Sequence, residues 1–295
     1  MTRPVVVVGD LGVDVVVRPS TPLAVGGDTP SAVAHSPGGA GGNSASWLAA
    51  YGVPVVLVAR IGDDLAGAHA RESLRGSGVE QRLTVDSHRP TCTVVSLVEA
   101  GGERTMLSDR GASGALAPED LDLEGAAATL TVSGMPHLHL SGFVLLAPSS
   151  RPAARYALAR AKALGWTTSV DPQAANLVAR EGGPTFLEWV DGVDLLLPNE
   201  SELAALGGVD AALAAARDVV VTRGAAGAQW HHRDGGELAS VPARVVEVVD
   251  TTGCGDAFNA GLLSGWLADA PAAESLRRGV EAGSRAATQV GSRPA

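Results

Sequence analysis

The sequence predicts a doubly wound α/β fold built on a mostly parallel sheet. Short apolar runs alternate with longer stretches of helical periodicity through most of the 295 residues. Strands that are separated by helices pair in parallel and are covered on both faces, which is why they read as continuous apolar runs. One domain spanning 1–295 is expected, because α/β units often reach this length undivided.

Six apolar runs are candidate strands of the main sheet. The first is Val5-Val6-Val7-Val8, and its β-branched composition favours a strand. The candidate strands are 5–9, 54–59, 137–140, 167–171, 194–197 and 219–222. Helical periodicity between the strands predicts helices at 43–51, 65–75, 151–164, 199–206 and 211–216, and a further helix beginning at about Gly255.

Two segments, at about 11–36 and 91–108, interrupt this alternation. In the second, apolar residues flank Gly101-Gly102, which is typical of a hairpin. Together with strand residues from the first segment, the hairpin predicts a small β-sheet that forms a lid over the carboxyl edge of the main sheet. The alternative is an antiparallel extension of the main sheet. Exposed lid edges could also pair between two copies of the chain, as a homodimer.

Composition narrows the classes of function. The 45% hydrophobic and 18% charged residues fit a globular protein, and no apolar run approaches the roughly 18 residues that a membrane span needs. A net charge of −10 and few aromatic residues argue against a nucleic-acid surface. Two cysteines, Cys92 and Cys254, favour a reducing cytoplasm. We therefore expect cytoplasmic chemistry on a small molecule, with neither nucleic acid nor membrane as partner.

The segment Asp250-Thr251-Thr252-Gly253-Cys254-Gly255-Asp256 is the most informative. Its small residues allow a sharp turn into a helix, whose first backbone N–H groups would point at a bound anion. Asp256 in the first turn is a candidate general base for a hydroxyl beside a phosphate. The competing interpretation is an ordinary helix start with an acidic first turn. A P-loop is excluded, because Lys162 is the only lysine and does not follow the required glycines.

A second motif, Pro37-Gly38-Gly39-Ala40-Gly41-Gly42-Asn43-Ser44, is rich in glycine. Missing side chains allow a ligand to approach the backbone, and Asn43 offers a donor and an acceptor to a polyol. A dinucleotide-binding loop is the alternative. Ser44 at the third glycine position weakens it, and so does the lack of a strand leading into the motif from a βαβ unit.

Two further motifs follow predicted strands. Asn199 and Glu202 lie three residues apart at a helix start, so they either face a ligand together or form a capping box. Thr222, Gly224 and Gly227 form a turn without bulky side chains that can pass close to a nucleotide.

Taken in chain order, the motifs resemble those of the ribokinase-like (PfkB) carbohydrate and nucleoside kinases over nearly the whole chain. The glycine-rich motif and the segment 250–261 resemble the two signatures of that family. The remaining matches are Gly9-Asp10-Leu11-Gly12-Val13-Asp14, Arg60-Ile61-Gly62-Asp63-Asp64-Leu65-Ala66-Gly67, Asn199-Glu200-Ser201-Glu202 and Val221-Thr222-Arg223-Gly224-Ala225-Ala226-Gly227.

The resemblance implies transfer of the γ-phosphoryl group of ATP to a hydroxymethyl group of a small sugar, with Asp256 as the catalytic base. It implies an anion hole at Gly253, Cys254 and Gly255, and acceptor binding by Asp14, Gly38, Gly39 and Asn43. It further implies that ATP and Mg²⁺ are held by Asn199, Glu202, Thr222, Gly224 and Gly227, and that K⁺ is a candidate monovalent cation at Asp250 and Thr252.

The acceptor stays open. Ala40 and Gly12 stand where ribokinases proper commonly carry lysine and asparagine, and Asp171-Pro172-Gln173-Ala174-Ala175 departs from the Asp-x-Asn-x-Arg pattern of many fructokinases and ketodeoxygluconate kinases. One alternative is a nucleoside kinase of the same fold, with Phe143 stacking on a purine. Another, from a different class, is a non-catalytic sugar-binding regulatory protein, against which the intact Asp256 argues.

Three more residues are candidates for contact with the acceptor. Asp171 ends a predicted strand at the carboxyl edge of the sheet. Arg104 and Arg110 either meet an anionic group of the substrate or are solvated lid residues. The end of the sequence, 291–295, has the composition of a frayed segment.

Overall fold

The computed structural model describes residues 3–98, 104–132 and 134–294. Strands occupy both halves of this range and helices follow most of them. The strands are β1 (Val5–Val8), β2 (Gly12–Pro19), β3 (Ser31–Gly38), β4 (Val55–Gly62), β5 (Val79–Asp86), β6 (Cys92–Val98), β7 (Arg104–Asp109), β8 (His137–Ser141), β9 (Thr167–Asp171), β10 (Val193–Leu196), β11 (Ala216–Thr222), β12 (Ala228–His232) and β13 (Gly236–Val241).

The helices range from one turn to more than four. They are α1 (Ala40–Ala50), α2 (Leu65–Glu72), α3 (Leu123–Ala128), α4 (Gly142–Leu146), α5 (Arg151–Ala163), α6 (Ala175–Glu181), α7 (Gly183–Trp189), α8 (Glu200–Leu206), α9 (Val209–Ala215), α10 (Cys254–Trp266) and α11 (Ala272–Ala287). Within the described ranges, none of the helices combines the length and apolarity needed to cross a bilayer.

Nine strands form the main sheet, in the order β13-β12-β11-β10-β9-β8-β1-β4-β5. All neighbours from β11 to β5 are parallel, and β12 and β13 add antiparallel strands at one edge. Alternate residues of β1 face opposite sides: Val6 and Val8 join one apolar core, and Val5 and Val7 join the other. These two cores confirm the predicted doubly wound α/β fold.

The strand order reverses direction at β1. The chain leaves β1 toward β4 on one side and returns through β8 on the other, and both neighbours are parallel to β1. In an open α/β sheet such a reversal opens a crevice at the carboxyl ends of the strands, where ligands bind. The chain after Val8 and after Ser141 therefore borders the expected ligand site.

A separate four-stranded sheet, in the order β3-β2-β6-β7, confirms the predicted small second sheet. An extension of the main sheet was the wrong alternative. Asp14, Val94 and Ser108 lie side by side in register on β2, β6 and β7, so their side chains share one face. The hairpin of β6 and β7 is antiparallel as predicted, while its Gly101-Gly102 turn lies outside the described residues.

Helix α1 begins at Ala40, three residues before the predicted start, so the glycine-rich motif is its first turn. A Cβ on Gly41 would lie 2.7 Å from the Cα of Gly9, which shows that this glycine serves close packing of helix on strand. A strand leads into the motif, but not from a βαβ unit, as expected. That strand is β3 of the small sheet, which pairs antiparallel with β2, so the connection is not the βαβ unit of a dinucleotide-binding fold.

Other helices and strands begin or end a few residues from their predicted bounds, and several elements were not predicted. Ala216, predicted as the end of a helix, begins β11 because it pairs with Val193 of β10. The edge strand β5 was missed because charged and polar residues alternate with its apolar ones. The other missed elements are β12, β13, α3, α4, α6, α7 and α11.

Candidate active site

A cavity of about 770 Å³ lies at the crevice beside β1. Three of the four predicted acceptor residues, Asp14, Gly39 and Asn43, line it together with Asp256. The fourth, Gly38, lies behind Asp14, and a Cβ there would be 2.3 Å from the Asp14 carboxylate. The structure thus brings the predicted acceptor residues and the predicted base to one cavity.

A second cavity, of about 470 Å³, lies on the other side of the 251–256 turn. The predicted nucleotide residues Thr222, Gly224 and Gly227 line it. Cys254 and Gly255 of the turn face this second cavity, and so does Thr251, whereas Thr252, Gly253 and Asp256 face the first one. The turn therefore stands between the two cavities, where a group passing from one to the other would meet it.

Asp256 is in the first turn of α10 and is buried, with 8% of its surface exposed. Its Oδ2 accepts a hydrogen bond from Asn43 Nδ2 at 3.1 Å, and its Oδ1 accepts one from Ser44 Oγ at 3.2 Å. Burial raises the pKa of Asp256 to about 7, although these hydrogen bonds oppose the rise. A carboxylate whose pKa lies near neutrality can both take and release a proton under ordinary conditions.

The turn itself needs glycine at Gly253, which caps α10 with a φ of 73°. Helix α10 has 13 residues, and the backbone N–H groups of its first turn point along the axis toward the turn. This placement agrees with the predicted anion hole at Gly253, Cys254 and Gly255. The Cys254 thiol lies 3.8 Å from the Asp250 carbonyl oxygen.

Asp14, on β2, is buried at the other side of the first cavity. Its burial and the nearby Asp10 carboxylate raise the pKa of Asp14 to about 6. A buried carboxylate that is ionised near neutral pH accepts hydrogen bonds strongly, which suits the binding of sugar hydroxyls.

Asp10 had no predicted role, yet it links three elements around the cavity. Its carboxylate accepts hydrogen bonds from Ala40 N at 3.2 Å, from Ser141 Oγ at 3.2 Å and from Arg110 Nη1 at 3.1 Å. The signal for Asp10 was its position directly after the predicted first strand (5–9), two residues beyond the end of β1, at the carboxyl edge of the sheet. Ser44 was missed in a similar way, although it is the neighbour of Asn43.

Arg110 lines the first cavity and is not a solvated lid residue, so that interpretation is wrong. Its side chain is 22% exposed, pairs with Asp10, and stacks on the Phe143 ring with 3.5 Å between the guanidinium carbon and the ring centroid. Arg110 therefore occupies a face of Phe143 that a purine was expected to use. The side chain of Arg104 lies outside the described part of the chain.

Asp171 is buried at the end of β9 and accepts hydrogen bonds from Asn259 Nδ2 at 2.6 Å and from Gln173 N at 2.8 Å. Burial and the nearby carboxylates of Glu202 and Asp256 raise its pKa well above the usual range. Gln173, two residues later, lines the first cavity beside Asp256, and its side chain lowers the pKa of Asp256 against the effect of burial. Gln173 was missed because nothing in its residue type suggested a site.

Asn199 and Glu202 form the capping box that was one of the two interpretations. Asn199 N donates to Glu202 Oε2 and Glu202 N donates to Asn199 Oδ1, both at 2.9 Å. Burial raises the pKa of Glu202. Asn199 also bridges to Thr222, which lines the second cavity, so the pair lies next to the predicted nucleotide site.

The segment 250–252 is tied down by the Asp250 carboxylate. Its Oδ1 accepts a hydrogen bond from Thr252 N at 2.8 Å, and its Oδ2 accepts one from Gly291 N at 3.2 Å. The latter bond contradicts the prediction of a frayed end. Ser292 is only 3% exposed, and Ser292 and Arg293 pack against the starts of α10 and α1; Ala295 lies outside the described residues.

Comparisons with known proteins show the family and the fold. The model of the pfkB family carbohydrate kinases matches residues 2–295. The ATP-dependent ribose-1-phosphate kinase of Halopiger xanaduensis is 32% identical over 267 residues, which are 88% of this chain and 83% of that protein.

Two solved structures share the fold. The adenosine kinase of Sinorhizobium meliloti superimposes with a TM-score of 0.86 at 25% identity, covering 100% of this chain and 96% of that one. A putative ribokinase II from E. coli, solved in complex with ATP and Mg²⁺, has a TM-score of 0.81 at 23% identity, covering 98% and 94%. The match of the family model over the whole length confirms the predicted family and the predicted class of phosphotransferase. The protein belongs to the pfkB family of carbohydrate kinases.

Proposed function

We propose that the protein transfers the γ-phosphoryl group of ATP to a hydroxymethyl group of a small sugar. The observation that carries this proposal is the position of the 251–256 turn between two cavities. One cavity holds the predicted acceptor residues with Asp256, and the other holds the predicted nucleotide residues. ATP in the second cavity would present its terminal phosphate at the turn, in line with a hydroxyl held in the first.

Asp256 would take the hydroxyl proton late in the transfer, when the oxygen has begun to bond to phosphorus. Its pKa of about 7 leaves much of it ionised at neutral pH. The backbone N–H groups of Gly253, Cys254 and Gly255 would stabilise the negative charge on the transferring group. Asp14, Gly38, Gly39 and Asn43 would orient the acceptor.

Mg²⁺ fits the residues on the nucleotide side. Among the described residues, no three His, Cys, Asp or Glu side chains are grouped to hold a metal ion directly. Mg²⁺ commonly binds through phosphate oxygens and retained water, which a single buried carboxylate such as Glu202, beside Asn199, would anchor. When bound with ATP, Mg²⁺ would neutralise charge on the phosphates. K⁺ at Asp250 and Thr252 is a further proposal, and equal activity with and without K⁺ would argue against it.

The first cavity favours an acceptor with a polar and an apolar part. Asp14, Asn43 and Asp256 form a polar group in its lining, while Phe143, Leu146 and Leu177 line it elsewhere together with Arg110 and Arg180. A free sugar would use the polar group alone, whereas a nucleoside would use the apolar residues as well, which keeps a nucleoside kinase as the second candidate. The structure of an adenosine kinase is similar in fold.

The small sheet has a mixed face toward the cavity and an apolar face away from it. The cavity face carries Asp14, Val94, Met106 and Ser108. On the opposite face, Val33 is 57% and Leu107 is 55% exposed. We propose that this face pairs with a second copy of the chain and that the sheet acts as a lid. Light scattering of the purified protein would test this, since Val33→Glu should turn a dimer into a monomer.

A panel of acceptors with Mg-ATP tests the function. We expect ADP release to depend on an acceptor among ribose, fructose, ribose 1-phosphate and adenosine, with the product identified by ³¹P NMR. The matched control is Asp256→Asn, which should bind ATP but not turn over. If the wild type binds a sugar tightly without consuming ATP, the protein is the non-catalytic binding protein of the alternative.

A further inference from the structure

The segment 291–293 is built into the wall of the active site. The Trp47 ring nitrogen Nε1 donates a hydrogen bond to the Ser292 carbonyl oxygen at 3.0 Å, and Gly291 N donates to Asp250 Oδ2 at 3.2 Å. Trp47 is on α1 and Asp250 precedes α10. The segment therefore packs between the two helices whose first turns carry Asn43 and Asp256.

Two glycines make room for this segment. A Cβ on Gly253 would lie 2.5 Å from the Ser292 carbonyl oxygen, and a Cβ on Gly42 would lie 2.6 Å from Arg293 Nη2. Both distances are shorter than atoms in van der Waals contact allow. The close approach of the segment thus depends on glycine at one position of each signature motif.

Asn43 joins the segment to the catalytic carboxylate. Its Oδ1 accepts a hydrogen bond from Arg293 Nε at 3.2 Å and lies 3.0 Å from Ser292 Oγ, whose one proton it shares with the Pro37 carbonyl oxygen at 3.1 Å. Its Nδ2 donates to Asp256 Oδ2 at 3.1 Å. The opposite orientation of the amide would set its NH₂ group against a guanidinium and its oxygen against a carboxylate, which are two repulsive contacts.

All three nitrogens of the Arg293 guanidinium are anchored. Besides the bond from Nε to Asn43, Nη1 donates to Ser73 Oγ at 2.7 Å and Nη2 donates to the Gly38 carbonyl oxygen at 3.0 Å. The guanidinium group is planar, so three hydrogen bonds in different directions hold it in a single position. Burial lowers the pKa of Arg293 to about 10, and the group stays charged near Asp14 and Asp256.

We propose that Ser292 and Arg293 are positioning residues of the phosphoryl transfer: they hold the Asn43 amide in the orientation that presents Nδ2 to the Asp256 carboxylate. The catalytic meaning of this inference rests on the proposed kinase function. Without the two donors, the Asn43 amide can rotate, and Asp256 loses a hydrogen bond that both orients it and stabilises its ionised form.

The chain has four asparagines, at 43, 176, 199 and 259, so selective ¹⁵N labelling of asparagine gives four side-chain NH₂ signals. Asn43→Ala identifies the Asn43 signal by its loss. In the wild type this signal should titrate with a midpoint near 7, because Nδ2 contacts Asp256, and the titration should vanish in Asp256→Asn.

Several groups face Asp256, so the titration needs internal references. The Asn259 amide, 2.6 Å from Asp171, reports that neighbouring carboxyl separately, and the Asn199 amide reports Glu202. The groups that face Asp256 are the charged residues Asp10, Asp171 and Arg293 and the neutral donors Asn43, Ser44 and Gln173.

Arg293→Met should shift the Asn43 signal and raise its midpoint by about 0.5 to 1 pH unit, since a cation and an oriented donor are lost. Arg293→Lys keeps the positive charge but loses the planar guanidinium group. It should therefore shift the Asn43 signal while leaving the midpoint of its titration close to that of the wild type. Ser292→Ala should give a smaller shift of the same signal. If Arg293→Met is poorly folded, Arg293→Lys and Ser292→Ala still test whether the two residues orient the Asn43 amide.

Kinetics supply the second test, with Mg-ATP and the best acceptor of the panel. Arg293→Met should lower kcat roughly 10- to 100-fold with a change in KM for ATP under about threefold. In the Asn43→Ala background the same substitution should cost less than about twofold, because its effect passes through Asn43. Arg277→Met, an exposed arginine of α11 paired with Glu274, is the matched control and should be unchanged.

An unchanged Asn43 signal in both Arg293→Met and Ser292→Ala would overturn the proposal, and so would additive kinetic losses in the double variant. If the signals move as expected but no acceptor is phosphorylated by the wild type, the kinase function fails while the positioning of Asn43 stands. The two failures are therefore distinguishable.

Discussion

The side-chain nitrogen Nδ2 of Asn43 lies 3.1 Å from Oδ2 of Asp256, although the two residues are 213 positions apart. Together with the hydrogen bond from Ser44 Oγ to Asp256 Oδ1, the contact joins the two signature motifs of the chain. It also places a residue of the predicted acceptor site directly on the predicted base. The environment of the base and the binding of the acceptor are thus set by the same side chain.

Asp256→Asn should lower kcat by roughly 10²- to 10⁴-fold, because the amide cannot accept the hydroxyl proton. Folding should be retained, since an amide fits the same space and can bond to Ser44. A coupled assay of ADP release gives kcat, and circular dichroism checks the fold. Retention of more than a few per cent of the activity would show that Asp256 is not the base.

Activity should rise with pH through about 7 and level off above it. The ionised form of Asp256 is the active one, and burial has raised its pKa to about 7. Below that pH, kcat/KM should fall about tenfold per pH unit. Profiles measured with saturating Mg-ATP test this, and a flat profile between pH 5 and 8 would contradict it.

Asp14→Asn should make the protein more stable at pH 8 than the wild type. The pKa of Asp14 is raised from 3.8 to about 6, so its contribution to stability is complete below pH 3.8 and is lost as the pH rises through 6. The gain should be about 3 kcal/mol at most and should vanish near pH 4. Urea unfolding at pH 8 and pH 4 measures this gain. An equal difference in unfolding free energy between the variant and the wild type at both pH values would contradict the prediction.

Gln173→Gly should separate stability from activity. Gln173 has a φ of 72°, a conformation that costs side chains about 1 kcal/mol and glycine none. The unfolding free energy should therefore change by less than about 1 kcal/mol, while kcat at neutral pH falls because the pKa of Asp256 rises without the Gln173 side chain. Gln173→Asn, which tolerates this φ, is the matched control. Full activity of the glycine variant would show that the side chain plays no part.

Gly253→Ala and Cys254→Ala, neighbours in the turn, should differ sharply. A Cβ on Gly253 would meet the Ser292 backbone and strain a φ of 73°, so this variant should lose stability and activity. Cys254→Ala keeps a small residue at the helix start and should stay active. Thermal unfolding and kcat of both variants test the pair, and an inactive Cys254→Ala would give the thiol a role in the site.

Local sequence patterns were sufficient to predict the strands and the helix that meet at the candidate site. Continuous apolar runs predicted β1, β8 and β9 within one residue, since buried parallel strands carry that pattern wherever they occur. The start of α10 was predicted within one residue from small residues followed by apolar periodicity. Edge strands such as β5 and β13 were not found, because half of each strand faces solvent.

Patterns in the sequence were sufficient for the class of fold, the family and the start of α10, and they predicted Asp256 as the base. Each pattern or motif depends on residues that are close together in the chain. The folded structure was needed to show that Arg110 pairs with Asp10 over Phe143, that Gln173 lines the cavity beside Asp256, and that Ser292 and Arg293 contact Asn43. The physical reason is the same in every case: these contacts join distant segments, and a side chain gains its partner only when the sheet has brought those segments together.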